Sequence, residues 1–303
     1  MVTGLEYKKT DDLDAIWNDA KNACKEGLVF NLLLAYEFEI RLIESNFVKL
    51  HEKQAEAWQS EQPHPKFNFS HGQHFKGDSG LKYVVDELRA KSSSRRALLS
   101  LIDMDDIMGT GDKAIPSFMV AQFGHTGDVL YVTEYFRALE VGSFLPINLA
   151  EMALMVRRIL QGGLARPKTV RLLLLAFQAH FTPHFHCLEK ADLDVVTGAE
   201  IGAAVATQDR KRLLGWLDDK KNRYESEVLT NGLEEMVGIV RQYSAKYPRT
   251  FLTHLNHSLL SLKQLKALRA SHSDEKITQA EHEKYVEHLE GAIRELRGAA
   301  DGT

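Results

Sequence analysis

Two mainly apolar runs, residues 115–123 and 129–136, follow one another with Gly124, Thr126 and Gly127 around the break. Runs of this length flanked by turn residues read as two strands joined in a hairpin. A hairpin cannot stand alone in water, so the rest of the chain has to supply a sheet and a layer to cover it. Residues 97–104 read as one more buried strand. Residues 170–177 read as another, apolar except for Arg171 and covered on both faces. Helical patterns lie between them. Residues 81–90 form a short helix broken by the polar run at 91–94, and residues 148–161 carry Leu149, Met152, Ala153, Val156 and Leu160 on one side. The fold class expected is α+β, a mixed sheet with helices.

The texture changes on both sides of this region. Residues 11–60 read as helical, because Leu28, Leu32, Leu33, Ala35, Phe38, Leu42 and Phe47 recur at spacings suited to an amphipathic helix. Residues 61–80 hold glycines, prolines and several His and Phe, and read as loop. From Ala191 onward the pattern is almost purely helical, with segments at 205–222, 226–244, 250–269 and 278–296. Thr278 and Glu281 are placed for a capping box. The expected organisation is a core over residues 1–190 and a helical C-terminal extension over 191–303.

Composition excludes several classes. A formal net charge of −4 over 303 residues argues against general nucleic-acid binding, which draws on a basic excess. The apolar runs are too short to cross a bilayer, and the polar N-terminus does not read as a signal peptide. Two cysteines, Cys24 and Cys187, build no disulfide framework and suit a reducing, cytoplasmic setting. The dense set His180, His184, His186 and Cys187 has no second ligand pair to match it, so no metal site is expected.

The chemistry-bearing residues are arginines and polar groups at strand ends. Ser94, Arg95 and Arg96 occupy a break between helix and strand. Adjacent guanidiniums there can offer a phosphate many N–H donors, although an isolated pair also fits two surface arginines. Arg137 follows an apolar strand and precedes Glu140, a place where a salt-bridged strand end is equally ordinary. Asn148 is open to a helix N-cap reading, and His180 to a hydrogen-bonded core position.

Taken in order, these blocks resemble the thymidylate synthases and the related deoxynucleotide hydroxymethylases. The resemblance runs through Ser94-Arg95-Arg96, then Ala114-Ile115-Pro116-Ser117-Phe118 with Gln122-Phe123. It continues in Arg137-Ala138-Leu139-Glu140 and Phe144-Leu145-Pro146-Ile147-Asn148-Leu149. Fainter matches are Glu37 with Trp58, the run His71-Gly72-Gln73-His74-Phe75-Lys76, and His180-Phe181-Thr182. Together they span roughly half the chain.

The resemblance implies that Arg137 binds a nucleotide 5′-phosphate and that Arg95 and Arg96 reach the same phosphate across a homodimer interface. It implies Asn148 on the pyrimidine, Gln122 beside the pocket and His180 on the ribose. It also puts Ser117 where the catalytic cysteine belongs, with Phe118 in place of the following histidine. A hydroxyl is far less acidic than a thiol and needs an adjacent base. Neither Cys24 nor Cys187 is expected to substitute, since a lone cysteine is more often a small buried hydrophobe.

Glu140 stands for an aspartate tied to folate chemistry, and no counterpart of the folate-closing tail is legible. No cofactor is therefore expected. The implied function is binding of a pyrimidine nucleotide resembling dUMP without methyl transfer, with the C-terminal helices free for a protein partner. Two alternatives remain. One is an enzyme of altered chemistry using Ser117, His180, Glu140 or Glu37 as acid–base groups. The other is a scaffold that kept the fold and lost the pocket.

Overall fold

A computed structural model describes residues 4–108, 114–163, 167–182, 189–223, 227–271 and 273–298. The described residues divide into two compact units. The first comprises 4–64, 69–108 and 115–182; the second comprises 65–68, 114 and those from 189 onward.

The first unit runs β1 (Lys8–Lys9), α1 (Leu13–Ala23), β2 (Val29–Glu39), α2 (Asn46–Gln59), α3 (His71–Phe75), α4 (Gly77–Ala90) and β3 (Leu98–Ser100). It continues through α5 (Met104–Met108), β4 (Phe118–Thr126), β5 (Val129–Phe136), β6 (Leu139–Glu140), α6 (Phe144–Gln161) and β7 (Thr169–His180). Its sheet is mixed, in the order β1-β2-β7-β5-β4-β3, and β6 extends the pairing with β7 where β5 ends. The fold class is α+β.

Period-two burial fixes which face of each strand is inside. On β2 the inner set is Leu32, Leu34, Tyr36 and Phe38; on β7 it is Val170, Leu172, Leu174 and Ala176; on β5 it is Leu130, Val132, Glu134 and Phe136. The residues of α6 are buried on nearly every side, from Leu145 to Ile159, as a central core helix requires. The opposite face of the sheet keeps large apolar side chains exposed. There Leu33 is 49%, Phe177 49% and Phe30 58% exposed.

The helical reading of residues 11–60 holds over Leu13–Ala23 and Asn46–Gln59 and is overturned over Val29–Glu39. Its leucines recur at helix-like intervals, but Leu32, Leu34, Tyr36 and Phe38 also alternate, and pairing with β7 from Val29 to Glu39 selects the strand. The hairpin lies as expected, with its tight turn at Gly127 and Asp128. Gly127 adopts φ 58 there, and Gly124 and Thr126 belong to β4. The expected strand at 97–104 shrinks to Leu98–Ser100.

The second unit is helical: α7 (Gly198–Ala206), α8 (Arg210–Asn222), α9 (Asn231–Gln242), α10 (Arg249–Ala270) and α11 (Glu275–Gly298). Trp216, Leu217, Met236, Phe251, Leu255, Leu289 and Ile293 are among its core. The single helix expected over 205–222 is two, divided where Gln208 turns left-handed at φ 54. Thr278 makes no capping box: α11 already starts at Glu275, Asp274 accepts from Lys276 N, and the Thr278 hydroxyl bonds back to Asp274 O. No helix among the described residues is long and apolar enough to cross a membrane.

Candidate functional site

Ser117 immediately precedes β4 and Arg137 immediately follows β5, so the β4–β5 pairing Phe118↔Phe136 sets the two side by side. The Arg137 N–H donates to Ser117 O at 2.9 Å. The guanidinium then folds over the segment before Ser117, with Nε donating to Pro116 O at 3.1 Å and Nη2 to Ile115 O at 3.0 Å. Partial burial lowers its pKa below the usual guanidinium value, and it stays a cation. Five N–H groups less two leaves three for a ligand. No carboxylate pairs with it among the described residues.

The Ser117 hydroxyl makes no hydrogen bond among the described residues, so no base is bonded to it. Phe118 beside it is buried, stacked on Phe136 at 4.7 Å and met edge-on by His71 at 5.5 Å. Cys24 is buried as well, and desolvation with the nearby Glu140 raises its thiol pKa, the wrong direction for a nucleophile. Cys187, His184 and His186 lie outside the described residues.

Glu140 and His180 are partners in the β6–β7 ladder, at the same end of the sheet. The Glu140 carboxylate takes backbone N–H groups from Gly142 at 2.7 Å, Ser143 at 2.6 Å, Phe144 at 3.3 Å and Thr182 at 3.2 Å. It satisfies the open start of α6 and ties it to the end of β7. A Cβ at position 142 would come within 2.7 Å of Glu140 Oε1 and of the Phe181 ring, so a larger residue there would displace one of them. The Glu140 carboxylate is thus committed to backbone groups at the start of α6 and the end of β7.

Asn148 lies one turn inside α6, which excludes the N-cap reading. It belongs to a buried polar cluster that sequence reasoning missed. Its Nδ2 donates to Glu151 Oε2 at 3.0 Å, and the His71 Nδ1–H donates to the same carboxylate at 2.8 and 3.1 Å. Trp58 packs on the His71 ring at 4.9 Å. Glu134, from the inner face of β5, faces Glu151; both are 0% exposed, and neither Glu134 oxygen has a hydrogen-bond partner. Desolvation first, and Glu151 second, push the Glu134 carboxyl well above the usual range. The available signal was a lone glutamate inside the apolar run 129–136, and another on the apolar side of α6.

The remaining expected residues lie elsewhere. The Ser94 hydroxyl donates to Glu87 at 2.6 Å and accepts from Arg96 N at 3.2 Å, shaping the turn after α4. Gln122 Nε2 donates to Arg95 O at 3.0 Å. Gln122 therefore anchors the Arg95 loop to β4, five residues from Ser117 or about 16 Å along a strand. Arg95 and Arg96 are exposed and, among the described residues, have no carboxylate partner. Within one chain they do not join Arg137. Glu37 is held by Arg171 at 2.6 Å, nine residues or roughly 30 Å of strand from His180, so it is not brought to Ser117.

No protein-family model matches the chain, and no curated protein does. The described residues form an α+β unit in which the exposed Arg137 guanidinium, held by the Pro116 and Ile115 carbonyls, lies against the segment that leads into Ser117.

Proposed function

We propose that this protein is a diverged relative of the thymidylate synthases that binds a pyrimidine nucleotide, or an anion of that kind, and does not transfer a methyl group from folate. One observation carries the proposal. The Arg137 guanidinium is locked by two carbonyls against the Ser117 segment and lacks a carboxylate, so an incoming phosphate meets a preorganised, uncompensated cation. The hydroxyl at Ser117 without a base agrees with lost nucleophilic chemistry. Nothing in this reading asks for a cofactor.

The same reading makes the protein a cytoplasmic homodimer. Leu33, Phe177 and Phe30 form an apolar patch on the exposed sheet face, and such patches mark interfaces. Arg95, fixed at the edge of that face by Gln122, is placed to approach a partner copy. The helical second unit offers a surface for a protein partner.

Thermal-shift measurement with dUMP, dCMP, UMP, CMP and dTMP tests the proposal. A pyrimidine nucleotide raises Tm by mass action, and Arg137→Ala removes the shift. No shift with millimolar nucleotide overturns it.

A second reading, an enzyme of altered chemistry on a pyrimidine nucleotide, draws support from the buried Glu134 carboxyl, pushed up by desolvation, next to the His71–Glu151 pair, since perturbed acids gather at functional sites. Its test is consumption of a nucleotide that Glu151→Gln abolishes while binding persists.

A further inference from the structure

We propose that the hollow above Gly124, on the sheet face opposite the buried one, is a binding site for a small phosphate ester of sugar-phosphate type whose anionic group meets Arg95. The inference goes beyond the nucleotide reading. It uses none of Arg137, Asn148 or His180, and it gives Arg95 a ligand held by its own chain.

The hollow begins with a glycine that the folded chain itself does not require. Gly124 lies inside β4, opposite Tyr131 and in continuous register, since the irregularity of this pairing falls between Phe118 and Val120. Both face outward, because the alternate positions Phe123, His125, Leu130 and Val132 are buried. Gly124 does not adopt a left-handed φ. Close packing does not call for it either, as a Cβ built there meets nothing within 4 Å. Glycine weakens a strand interior, and where it occurs it often marks the close approach of another group.

A cross-strand aromatic ring can cover such a gap, since directly opposed Cβ atoms lie about 4.5–5.5 Å apart. Tyr131 engages Arg171 instead. That residue is its register partner on β7; the guanidinium lies 5.8 Å from the Tyr131 ring centre, and Nη1 donates to the hydroxyl at 3.5 Å. Arg171 is held in turn by Glu37, its partner on β2. A polar row thus crosses the outer face from Glu37 through Arg171 to Tyr131 and stops at an open position.

Around that position is a cavity of about 270 Å3 lined by Ser93, Arg95, Gln122, Tyr131 and Thr133. Sites for drug-sized molecules run from about 300 to 1,000 Å3, so this one suits a smaller ligand. Hydroxyls and an amide line it, which matches a polyol. The Ser93 and Thr133 hydroxyls make no hydrogen bond among the described residues. Gln122 spends Nε2 on Arg95 O and keeps Oε1 as an acceptor. Arg95 supplies the charge: its backbone is tied to β4 by that bond, and among the described residues its guanidinium has no carboxylate partner. A free guanidinium fork is suited to two phosphate oxygens at once.

The test is calorimetric titration of ribose 5-phosphate into the full chain and into Arg137→Ala, which lacks the cation of the proposed nucleotide site. Saturable binding survives Arg137→Ala. Arg95→Ala weakens it roughly 10- to 150-fold, the worth of charge-assisted hydrogen bonds to an anion, and ribose without its phosphate shows a like loss. Gly124→Val fills the hollow with a β-branched side chain whose Cβ has room. It abolishes binding while Tm holds or rises, which a misfolded variant would not show. Absence of saturable binding at millimolar ester, or affinity unaltered in Arg95→Ala and Gly124→Val, overturns the proposal. Binding that vanishes in Arg137→Ala and persists in Arg95→Ala belongs to the other site and overturns it as well. So does a fall in mass by light scattering in Gly124→Val with ester affinity unchanged, which assigns the hollow to a second copy of the chain.

Discussion

Glu134 of β5 and Glu151 of α6 face each other inside the first unit, and only Glu151 has hydrogen-bonding partners. The Glu134 carboxyl titrates above its unfolded value because it is desolvated and then because Glu151 is near. With the folded pKa raised, its stabilising share is fully present below the unfolded value of 4.5 and is lost as pH rises through the folded pKa. Glu134→Leu removes an unsatisfied buried acid at little cost in volume. Its unfolding free energy, read from urea melts, exceeds that of the parent at pH 8 by an amount on the order of 1–3 kcal/mol, and the gap narrows toward pH 5. A gap independent of pH contradicts this account.

Arg137 makes a different demand, because its worth lies in what it leaves unpaired. Removing charge-assisted hydrogen bonds to an anion costs about 1.5–3 kcal/mol, a weakening of roughly 10- to 150-fold. Arg137→Ala should lose that much affinity for the nucleotide that stabilises the parent. Arg137→Lys should recover only part, since an ammonium cannot bond Pro116 O, Ile115 O and a phosphate in the same fork geometry. Calorimetric titration distinguishes the two. Equal affinity in all three proteins removes Arg137 from the site.

Where sequence and structure agree, local pattern and tertiary context coincide. Residues 129–136 are β5 to the residue, since a β-branched and aromatic alternation that starts after a glycine turn has one reading. The β2 segment misled because its apolar residues satisfy two periods at once, and pairing with β7 decided between them. Ser117 and Arg137 were put in one site by the family resemblance alone; the β4–β5 pairing sets their backbones side by side for a reason of its own, the Phe118↔Phe136 register. Glu140 and Gln122 were legible as polar residues but not as scaffold groups, because their partners are backbone atoms that only the folded loops bring near. Glu134, Glu151 and His71 come from a strand and two helices, a conjunction no spacing reveals.

The exposed sheet face gives a prediction on assembly. Leu33 pairs with Leu175 in the β2–β7 register, and Phe30 meets Phe177 at 5.7 Å between ring centres, so the patch is continuous across two strands. Leu33→Glu/Phe177→Glu places two carboxylates within it. If the patch is the homodimer interface, light scattering reports twice the chain mass for the parent and one chain mass for the variant. A parent that is monomeric at high micromolar concentration removes the dimer, and with it any contribution of Arg95 to a partner's site.

In the helical unit the ion pair of Lys220 with Asp194 carries the last prediction. Lys220 Nζ donates to Asp194 Oδ2 at 2.6 Å and to Leu229 O at 3.0 Å, and both side chains are buried. Asp194 Oδ1 also accepts from Gly232 N at 3.2 Å, so the pair ties α8 to the start of α9. Lys220→Met keeps the aliphatic stem and strands the carboxylate without its cation. Breaking a buried pair from one side costs about 3–5 kcal/mol. Lys220→Met/Asp194→Asn, which removes both charges and keeps an acceptor for Gly232 N, should regain a large part of that loss. Urea unfolding followed by circular dichroism reads both. A Lys220→Met chain as stable as the parent shows that the helices hold their packing without this lock, because Asp194 then finds water or a proton in place of lysine.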